Sequence, residues 1–159
     1  MEDVEEVRRR YRPERVATLF LGESAPASGD FFYLGRNAMT THMRRVLMPE
    51  ATTDKVFLAG FKTRGWYLDD LVLIPIDKMA HGERRAHWVR SLPSFTARLA
   101  EYRPAAVVTL LAGMHAIVLR AVREAGHEMP VHSVPFPGHG NQGRFRAELG
   151  ALLPILPRV

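Results

Sequence analysis

Cysteine is absent from this 159-residue chain. Its absence excludes disulfide bridges, cysteine zinc sites, iron–sulfur clusters and cysteine nucleophiles. Lysine is scarce and occurs only at Lys55, Lys62 and Lys78, so arginine carries almost all of the positive charge behind the net charge of +5. Because a guanidinium can hold a phosphate through two hydrogen bonds, this charge favours contact with polyanions such as nucleic acid.

Long apolar runs are also missing. No segment approaches the length that a membrane span needs, and the first ten residues lack the apolar centre of a signal peptide. We therefore expect a soluble cytoplasmic protein with no membrane contact and no obligate protein partner. The spacing of His, Asp and Glu is not typical of a metal site, so we expect neither a metal nor an organic cofactor.

Alternating apolar segments and amphipathic segments predict a single domain over residues 1–159. Strands are predicted over 16–21, 55–59, 105–111 and 131–134. Helices are predicted over 2–11, 37–47, 83–102, 113–122 and 144–153, the third of them kinked or divided near Pro93. Residues 60–70 read as irregular and residues 71–76 as an extended or edge segment. This order predicts a three-layer α/β/α sandwich with a central, mostly parallel four-stranded sheet.

Two loops follow predicted strands and are rich in glycine and proline. The first covers residues 22–37 and the second covers residues 135–143. Ligands of open α/β sheets bind beyond the carboxyl ends of the strands, so we expect the active site at these loops. Between the two loops, Trp66 and Tyr67 could stack on a base or cover the core, and the pattern favours the core.

The first loop begins with Gly-Glu-Ser-Ala-Pro at 22–26, after the first strand, and the second contains Phe-Pro-Gly-His at 136–139, after the last. With these motifs the two loops together resemble the uracil-DNA glycosylase superfamily. In that superfamily the first loop is led by a glycine, and the second begins with a His-Pro-Ser type motif that grips DNA. In order and spacing the likeness extends over about residues 16–153.

Two branches of that superfamily share features with the chain. Ser28-Gly29, Phe32 and Arg36-Asn37 are similar in spacing to the mismatch-specific enzymes, in which an aromatic ring stacks on the flipped base. Gly22-Glu23 is similar to the thermostable branch, and residues 67–72 lie where that branch has a loop ending in an Asn of the uracil pocket. The resemblance implies a DNA glycosylase whose partner is DNA containing uracil or another deaminated base.

The catalytic motifs depart from the superfamily pattern. Relatives have an Asp or Asn where this chain has Ser24, and a histidine where it has Phe136. Breaking an N-glycosidic bond builds positive charge on the sugar and negative charge on the base, so a carboxylate and hydrogen-bond donors are needed. We therefore expect Glu23 or Asp70, together with Ser24 and His139, to supply the catalytic groups.

Base flipping also requires a pocket with an aromatic platform and contacts to the DNA backbone. The residues expected to bind the base are Gly22, Ala25, Pro26, Phe32, Tyr33, Asn37 and Asp69. The residues expected to bind DNA are Ser28, Gly138, Gly140, Asn141, Gln142 and Arg144. Either Phe32 or Tyr33 would be the platform, and His115, in an apolar helix, would be structural.

Two other functions remain open at this point. The chain could be a catalytically inactive DNA-binding relative. It could also be an esterase with Ser24 as nucleophile, because Gly-Glu-Ser superficially resembles the Gly-Asp-Ser start of one hydrolase group. That group usually has a late Asp-x-x-His pair, whereas here Met129 stands three residues before His132.

Overall fold

A computed structural model describes residues 2–159 of the chain. The six helices there are α1 (Val4–Arg10), α2 (Ala38–Leu47), α3 (Asp54–Thr63), α4 (His81–Tyr102), α5 (His115–Ala125) and α6 (Gln142–Leu152). The four strands are β1 (Thr18–Gly22), β2 (Trp66–Asp70), β3 (Ala106–Thr109) and β4 (Val131–Ser133). Short 3-10 turns cover Phe32–Leu34, Ala112–Met114 and Leu153–Ile155.

The strands form one all-parallel sheet in the order β2-β1-β3-β4. The chain steps from β1 to β2 in one direction and then reverses to β3 and β4, so right-handed crossovers place the connecting helices on opposite faces. Accordingly α2 packs with α3 and α6, whereas α4 packs with α5. The predicted three-layer α/β/α sandwich with a four-stranded parallel sheet is confirmed.

One of the four predicted strands is wrong. Residues 55–59 lie in α3, where Thr53 caps the helix by accepting a hydrogen bond from the Val56 amide at 3.1 Å. Phe57 and Phe61, four residues apart, are both buried on one helical face. A short apolar run is compatible with either a buried strand or a buried helix, and here the cap and the i, i+4 spacing give the helix.

The missing strand lies in the segment predicted to be irregular. Gly65 has φ +74°, a left-handed conformation that ends α3 and turns the chain into β2. Every residue of β2 is buried, including Trp66 and Tyr67, so the prediction that these two rings cover the core is confirmed. Residues 71–76 are a loop after this edge strand and are not part of the sheet.

The remaining helices and strands agree with prediction to within a few residues. The exception is α4, which continues through Pro93 without division. Pro93 lies on the exposed side of the helix, where water can satisfy the carbonyl group that loses its amide partner. No helix within residues 2–159 is long and apolar enough to cross a membrane.

An aromatic cluster joins α3 to the sheet. The Phe61 ring centroid lies 5.2 Å from that of Phe20 in β1, 5.7 Å from that of Trp66 in β2 and 5.5 Å from that of Phe57. The Trp66 indole donates a hydrogen bond to the Pro157 carbonyl at 2.9 Å, which ties the chain's last residues to the same cluster.

We expect Phe61→Ala to lower the free energy of unfolding by about 3–5 kcal/mol, because it removes a buried ring and leaves a cavity. Urea denaturation followed by circular dichroism measures the change. Val56→Ala is the matched control, since Val56 is 52% exposed on the same helix and should change stability by less than about 0.5 kcal/mol. Equal losses for the two variants would contradict the assignment of the buried face.

Candidate functional site

The carboxyl ends of the strands define the candidate site. The sheet order reverses between β1 and β3, so the loops after these two strands flank the crevice in which open α/β sheets bind ligands. The loop after β2 joins the same edge, because Gly22 and Asp70 are register partners at the ends of β1 and β2. This juxtaposition brings residues 22–24 next to residues 70–72.

Gly22 has no side chain, and the carboxylate of Asp70 occupies the space that a side chain there would fill. A Cβ atom on Gly22 would lie 2.5 Å from Oδ1 of Asp70, which is closer than two such atoms can approach. Gly22 is therefore needed here for a close approach of a carboxylate to the end of β1. The sequence predicted that Gly22 binds the base; in the structure the space at Gly22 is taken by the side chain of Asp70.

Asp70 is a buried carboxyl group with one oxygen available. Its Oδ2 accepts a hydrogen bond from Arg8 Nη2 at 3.0 Å, while its Oδ1 accepts none from residues 2–159. Burial raises the pKa of Asp70 to about 6, against the lowering effect of Arg8, and nearby Asp69 adds to the rise. The group is therefore mostly ionised at neutral pH.

Arg8 reaches this site from α1. It is only 2% exposed, and its Nε lies 3.6 Å from Asp69 Oδ1 and 3.3 Å from both carboxylate oxygens of Glu5. The guanidinium carbon stands 5.9 Å from the centre of the Phe31 ring. The Nη1 atom is buried and has no hydrogen-bond partner among the described residues. The sequence does not point to a role for Arg8, because arginines at the end of a short charged helix are normally solvated.

Asp69 has no free oxygen. Its Oδ1 accepts a hydrogen bond from the Asp70 amide at 2.7 Å. Its Oδ2 accepts hydrogen bonds from Arg98 Nη1 at 2.8 Å and from the Tyr102 hydroxyl at 3.0 Å. Burial raises the pKa of Tyr102, and the charge of Asp69 adds to the effect. These contacts join β2 to α4 and leave Asp69 no acceptor for the base that it was expected to bind.

Both carboxylate oxygens of Glu23 also accept hydrogen bonds. Its carboxylate accepts hydrogen bonds from Arg84 Nε and Nη2, at distances of 2.8 to 3.2 Å, and from the Trp88 indole at 2.8 Å. Ser24 Oγ accepts the Ile76 amide at 3.2 Å. Both residues thus hold the loop after β1 against neighbouring segments. Glu23 is not placed as the free catalytic carboxylate that the sequence suggested, and the hydroxyl of Ser24, also expected to take part in catalysis, serves the loop.

The two expected stacking rings face the interior. Phe32 is 4% exposed and packs against Phe57 and Phe61, whereas Tyr33 is 3% exposed and stacks on Tyr11 with ring centroids 4.9 Å apart. The Tyr33 hydroxyl accepts the Leu68 amide at 2.7 Å, and burial raises its pKa. Neither ring offers a free face to a base in this arrangement.

The other first-loop residues serve the local backbone. Asn37 caps α2, because its Oδ1 accepts a hydrogen bond from the backbone amide of Met39 at 2.8 Å. Its Nδ2 donates a hydrogen bond to the Asp30 carbonyl at 2.6 Å. The Asp30 amide donates to Ser28 Oγ at 3.3 Å, and the Gly29 amide donates to the Pro26 carbonyl at 3.1 Å. Ala25 packs against the core. The loop is therefore an ordered turn beside the site.

The second loop presents its polar groups to solvent. His139 is exposed with φ +53°, Gly140 has φ +83°, and no side chain among residues 2–159, Asn141 included, caps α6. The Phe136 ring, 48% exposed, lies over Gly138, where a Cβ would come within 2.9 Å of it. Gln142 begins α6 and Arg144 pairs with Glu148 at 3.5 Å. The structure does not bring His139 into contact with Asp70.

A further polar cluster lies at the ends of β3 and β4. Thr109 Oγ1 donates to Ser133 Oγ at 2.7 Å, and Ser133 Oγ lies 2.5 Å from Nδ1 of His115. These bonds tie the start of α5 to the sheet, in agreement with the structural role expected for His115. No sequence motif indicates the cluster, because Ser133 is 24 residues from Thr109 and 18 residues from His115 in the chain.

Two open surface clefts lie away from this edge. One is lined by Val122 and Met129, and the other by Pro13 and Lys62. Within residues 2–159, no group of three His, Asp or Glu side chains is arranged to hold a metal ion. The candidate site is thus identified by its buried carboxyl group and not by an open cavity.

Comparison with known proteins gives no assignment. No protein-family model matches the chain, and no curated protein matches it significantly.

We expect the pKa of Asp70 to be about 6 and to rise further in Arg8→Met, since the arginine favours the ionised form. Carbon-detected NMR titration of the carboxyl group measures both values. Because the folded protein binds this proton more tightly than the unfolded chain does, the contribution of Asp70 to stability should fall as pH rises from about 4 to about 6.

Arg9→Met is the matched control, because Arg9 is exposed on the same helix. It should leave the Asp70 titration unchanged. An Asp70 pKa near 4 in the wild-type protein, or equal shifts in both arginine variants, would contradict the buried ion pair.

We expect Gly22→Ala to lower stability by about 1–3 kcal/mol, because the new methyl group must displace the Asp70 carboxylate. Thermal or urea unfolding measures the loss. Gly82→Ala is the control, since a Cβ there meets no atom within 4 Å and replaces glycine in a helix. A neutral Gly22→Ala variant would show that Gly22 and Asp70 are not in close contact.

Proposed function

We propose that the chain is a DNA glycosylase that hydrolyses the N-glycosidic bond of uracil or another deaminated base. The observation that carries the proposal is the free Oδ1 of Asp70, buried beside Gly22 at the carboxyl edge of the sheet. Of the three carboxylates at this edge, Asp70 alone keeps an oxygen without a hydrogen bond from the described residues. The resemblance of the two loops to the uracil-DNA glycosylase superfamily supports the same reaction.

An ionised Asp70 suits the chemistry of glycosidic cleavage. As the bond from C1′ to the base nitrogen breaks, positive charge develops on the sugar, and a nearby carboxylate stabilises it. Water then adds to C1′, its hydroxyl forms the new bond and the carboxylate can accept the proton. Arg8 supports this role because its charge favours the ionised form of Asp70.

Glu23 and Asp69 act as positioning residues in this proposal. Glu23 fixes Arg84 and Trp88 beside the loop after β1, and Asp69 fixes Arg98. The backbone amides of residues 138–140 donate no hydrogen bond within residues 2–159. Together with the side chains of His139 and Asn141, they remain candidates for contacting DNA or the departing base. The net charge of +5 favours the approach of DNA.

An inactive DNA-binding relative is the second candidate. The exposed position of His139 and the apolar side chain of Phe136 favour it, because neither offers a fixed donor to a leaving base. A serine esterase is not supported. Among residues 2–159, Ser24 Oγ is hydrogen-bonded only to the Ile76 amide, so no histidine is placed to activate it.

We expect the wild-type protein to release base from oligonucleotides carrying uracil, hypoxanthine, xanthine or ethenocytosine. Asp70→Asn should reduce release about 10²–10⁴-fold, the usual contribution of a positioned catalytic carboxylate. Single-stranded and double-stranded substrates are compared in the same assay.

Asp30→Asn is the control, because Asp30 is an exposed carboxylate of the first loop that forms no ion pair among the described residues. Its activity should equal that of the wild type. Release that is insensitive to Asp70→Asn would refute the assigned role. Salt-sensitive DNA binding with no release from any substrate would favour the inactive relative.

A further inference from the structure

The polar cluster at the ends of β3 and β4 pairs a serine with a histidine. Thr109 and Ser133 are the last residues of these strands and are register partners, so their side chains leave the same face of the sheet side by side. His115 begins α5. Its Nδ1 lies 2.5 Å from Ser133 Oγ, and Thr109 Oγ1 lies 2.7 Å from the same oxygen. The three groups form one chain of hydrogen bonds.

The hydrogen bonds in this chain have a direction. Thr109 is fully buried, and its hydroxyl donates its one proton to Ser133 Oγ. The proton of Ser133 is then directed at Nδ1 of His115, the other partner of Ser133 Oγ within residues 2–159. Because a ring nitrogen that accepts a hydrogen bond is unprotonated, the neutral imidazole carries its own proton on Nε2. Ser133 therefore faces a base, as a serine nucleophile requires.

Access distinguishes the two ends of this chain. Ser133 and His115 are half-buried and keep part of their surface in contact with solvent, whereas Thr109 is wholly enclosed. The esterase considered above depended on Ser24, which no histidine contacts. Ser133 combines the two features that Ser24 does not, a neighbouring imidazole and a position at the end of a strand.

We propose that Ser133 and His115 form a nucleophilic dyad that hydrolyses carboxylic esters with a short apolar acyl group and a good leaving group. Leu111 follows Thr109 by two residues in extended backbone, so it lies on the same face of the sheet, and Phe136, 48% exposed, follows Ser133 by three. These apolar neighbours favour an apolar acyl group. No carboxylate within residues 2–159 binds Nε2 of His115, so the dyad suits esters whose alcohol departs readily.

The reaction proceeds in two steps. In the first, a lone pair of Ser133 Oγ attacks the acyl carbon while Nδ1 of His115 takes the hydroxyl proton. The bond from the acyl carbon to the alcohol oxygen then breaks, and the departing alcohol takes that proton. In the second step, water attacks the acyl carbon and gives a proton to His115. The bond to Ser133 breaks, the carboxylic acid leaves and Ser133 Oγ recovers the proton.

Thr109 is a positioning residue in this dyad. Its hydrogen bond keeps the Ser133 proton directed at His115 and stabilises the negative charge that develops on Ser133 Oγ as the proton leaves. The activity needs no DNA, so it stands or falls independently of the proposed glycosylase reaction.

The first test is the hydrolysis of p-nitrophenyl butyrate by the whole protein in the absence of DNA. Ser133→Ala and His115→Gln should each lower kcat/KM about 10²-fold or more, the usual contribution of a nucleophile and its general base. Thr109→Val should lower kcat about tenfold and leave KM unchanged. The matched controls are Ser94→Ala and His81→Gln, since both residues are exposed on α4, and they should match the wild type. Circular dichroism verifies that each variant is folded.

The second test identifies the nucleophile directly. A fluorophosphonate should react with the wild-type protein as Ser133 Oγ displaces fluoride from phosphorus, and peptide mass spectrometry should find the adduct on Ser133. His115→Gln, which keeps the serine, should not be labelled. Labelling should persist in Ser94→Ala and His81→Gln.

The third test needs no variant and no activity. Long-range proton–nitrogen NMR correlation of the imidazole should show His115 protonated on Nε2 and unprotonated on Nδ1 in the neutral form. A neutral His115 protonated on Nδ1 would reverse the hydrogen bond and overturn the dyad.

Other results would also overturn it. These are ester hydrolysis by folded Ser133→Ala equal to that of the wild type, a fluorophosphonate adduct on a serine other than Ser133, or a wild-type protein that neither hydrolyses the ester nor takes the label. In each case the cluster only ties α5 to the sheet.

Discussion

The buried ion pair between Arg8 and Asp70 is the interaction on which the candidate site depends. A carboxylate that is 5% exposed would be costly without a partner, and removing one member of such a pair typically costs about 3–5 kcal/mol. The pair also determines geometry, because Arg8 binds Oδ2 and leaves Oδ1 directed at the space beside Gly22. Helix α1 is thereby part of the site, although it precedes the sheet in the chain.

The surrounding polar groups keep this edge rigid. Glu23 is saturated by Arg84 and Trp88, and Asp69 is saturated by Arg98 and Tyr102, so each links a strand end to α4. Ser24 performs the same function toward the loop after β2. The carboxylates of Glu23 and Asp69 are therefore occupied in holding loops, and among residues 2–159 no hydrogen-bond donor is placed on Oδ1 of Asp70. This difference between Asp70 and the two hydrogen-bonded carboxylates is the physical basis of the proposed glycosylase activity.

The sequence predicts the layers of the fold better than it predicts the site. Short apolar runs predict β1, β3 and β4. The run at 55–59 fits a buried helix as well as a strand, and its interpretation as a strand misplaced β2 by about ten residues. Asp70 could be singled out because it is a carboxylate in residues 67–72, which resemble the loop that ends in a pocket Asn in the thermostable branch. Arg8, Arg84 and Trp88 could not, since their partners lie about sixty residues away and only the folded chain brings them together. Phe32 had the spacing of a stacking residue, yet its ring is buried in the core.

The measurement that tests the central claim most directly is the pH dependence of base release from uracil-containing single-stranded DNA. The account predicts a rate that rises with pH and levels off above a midpoint near the Asp70 pKa of about 6, because the ionised carboxylate is the active form. Replacing Arg8 by methionine should move that midpoint upward. A rate that falls with pH through this range, or that is independent of it, would contradict the assignment of Asp70 as the catalytic carboxylate.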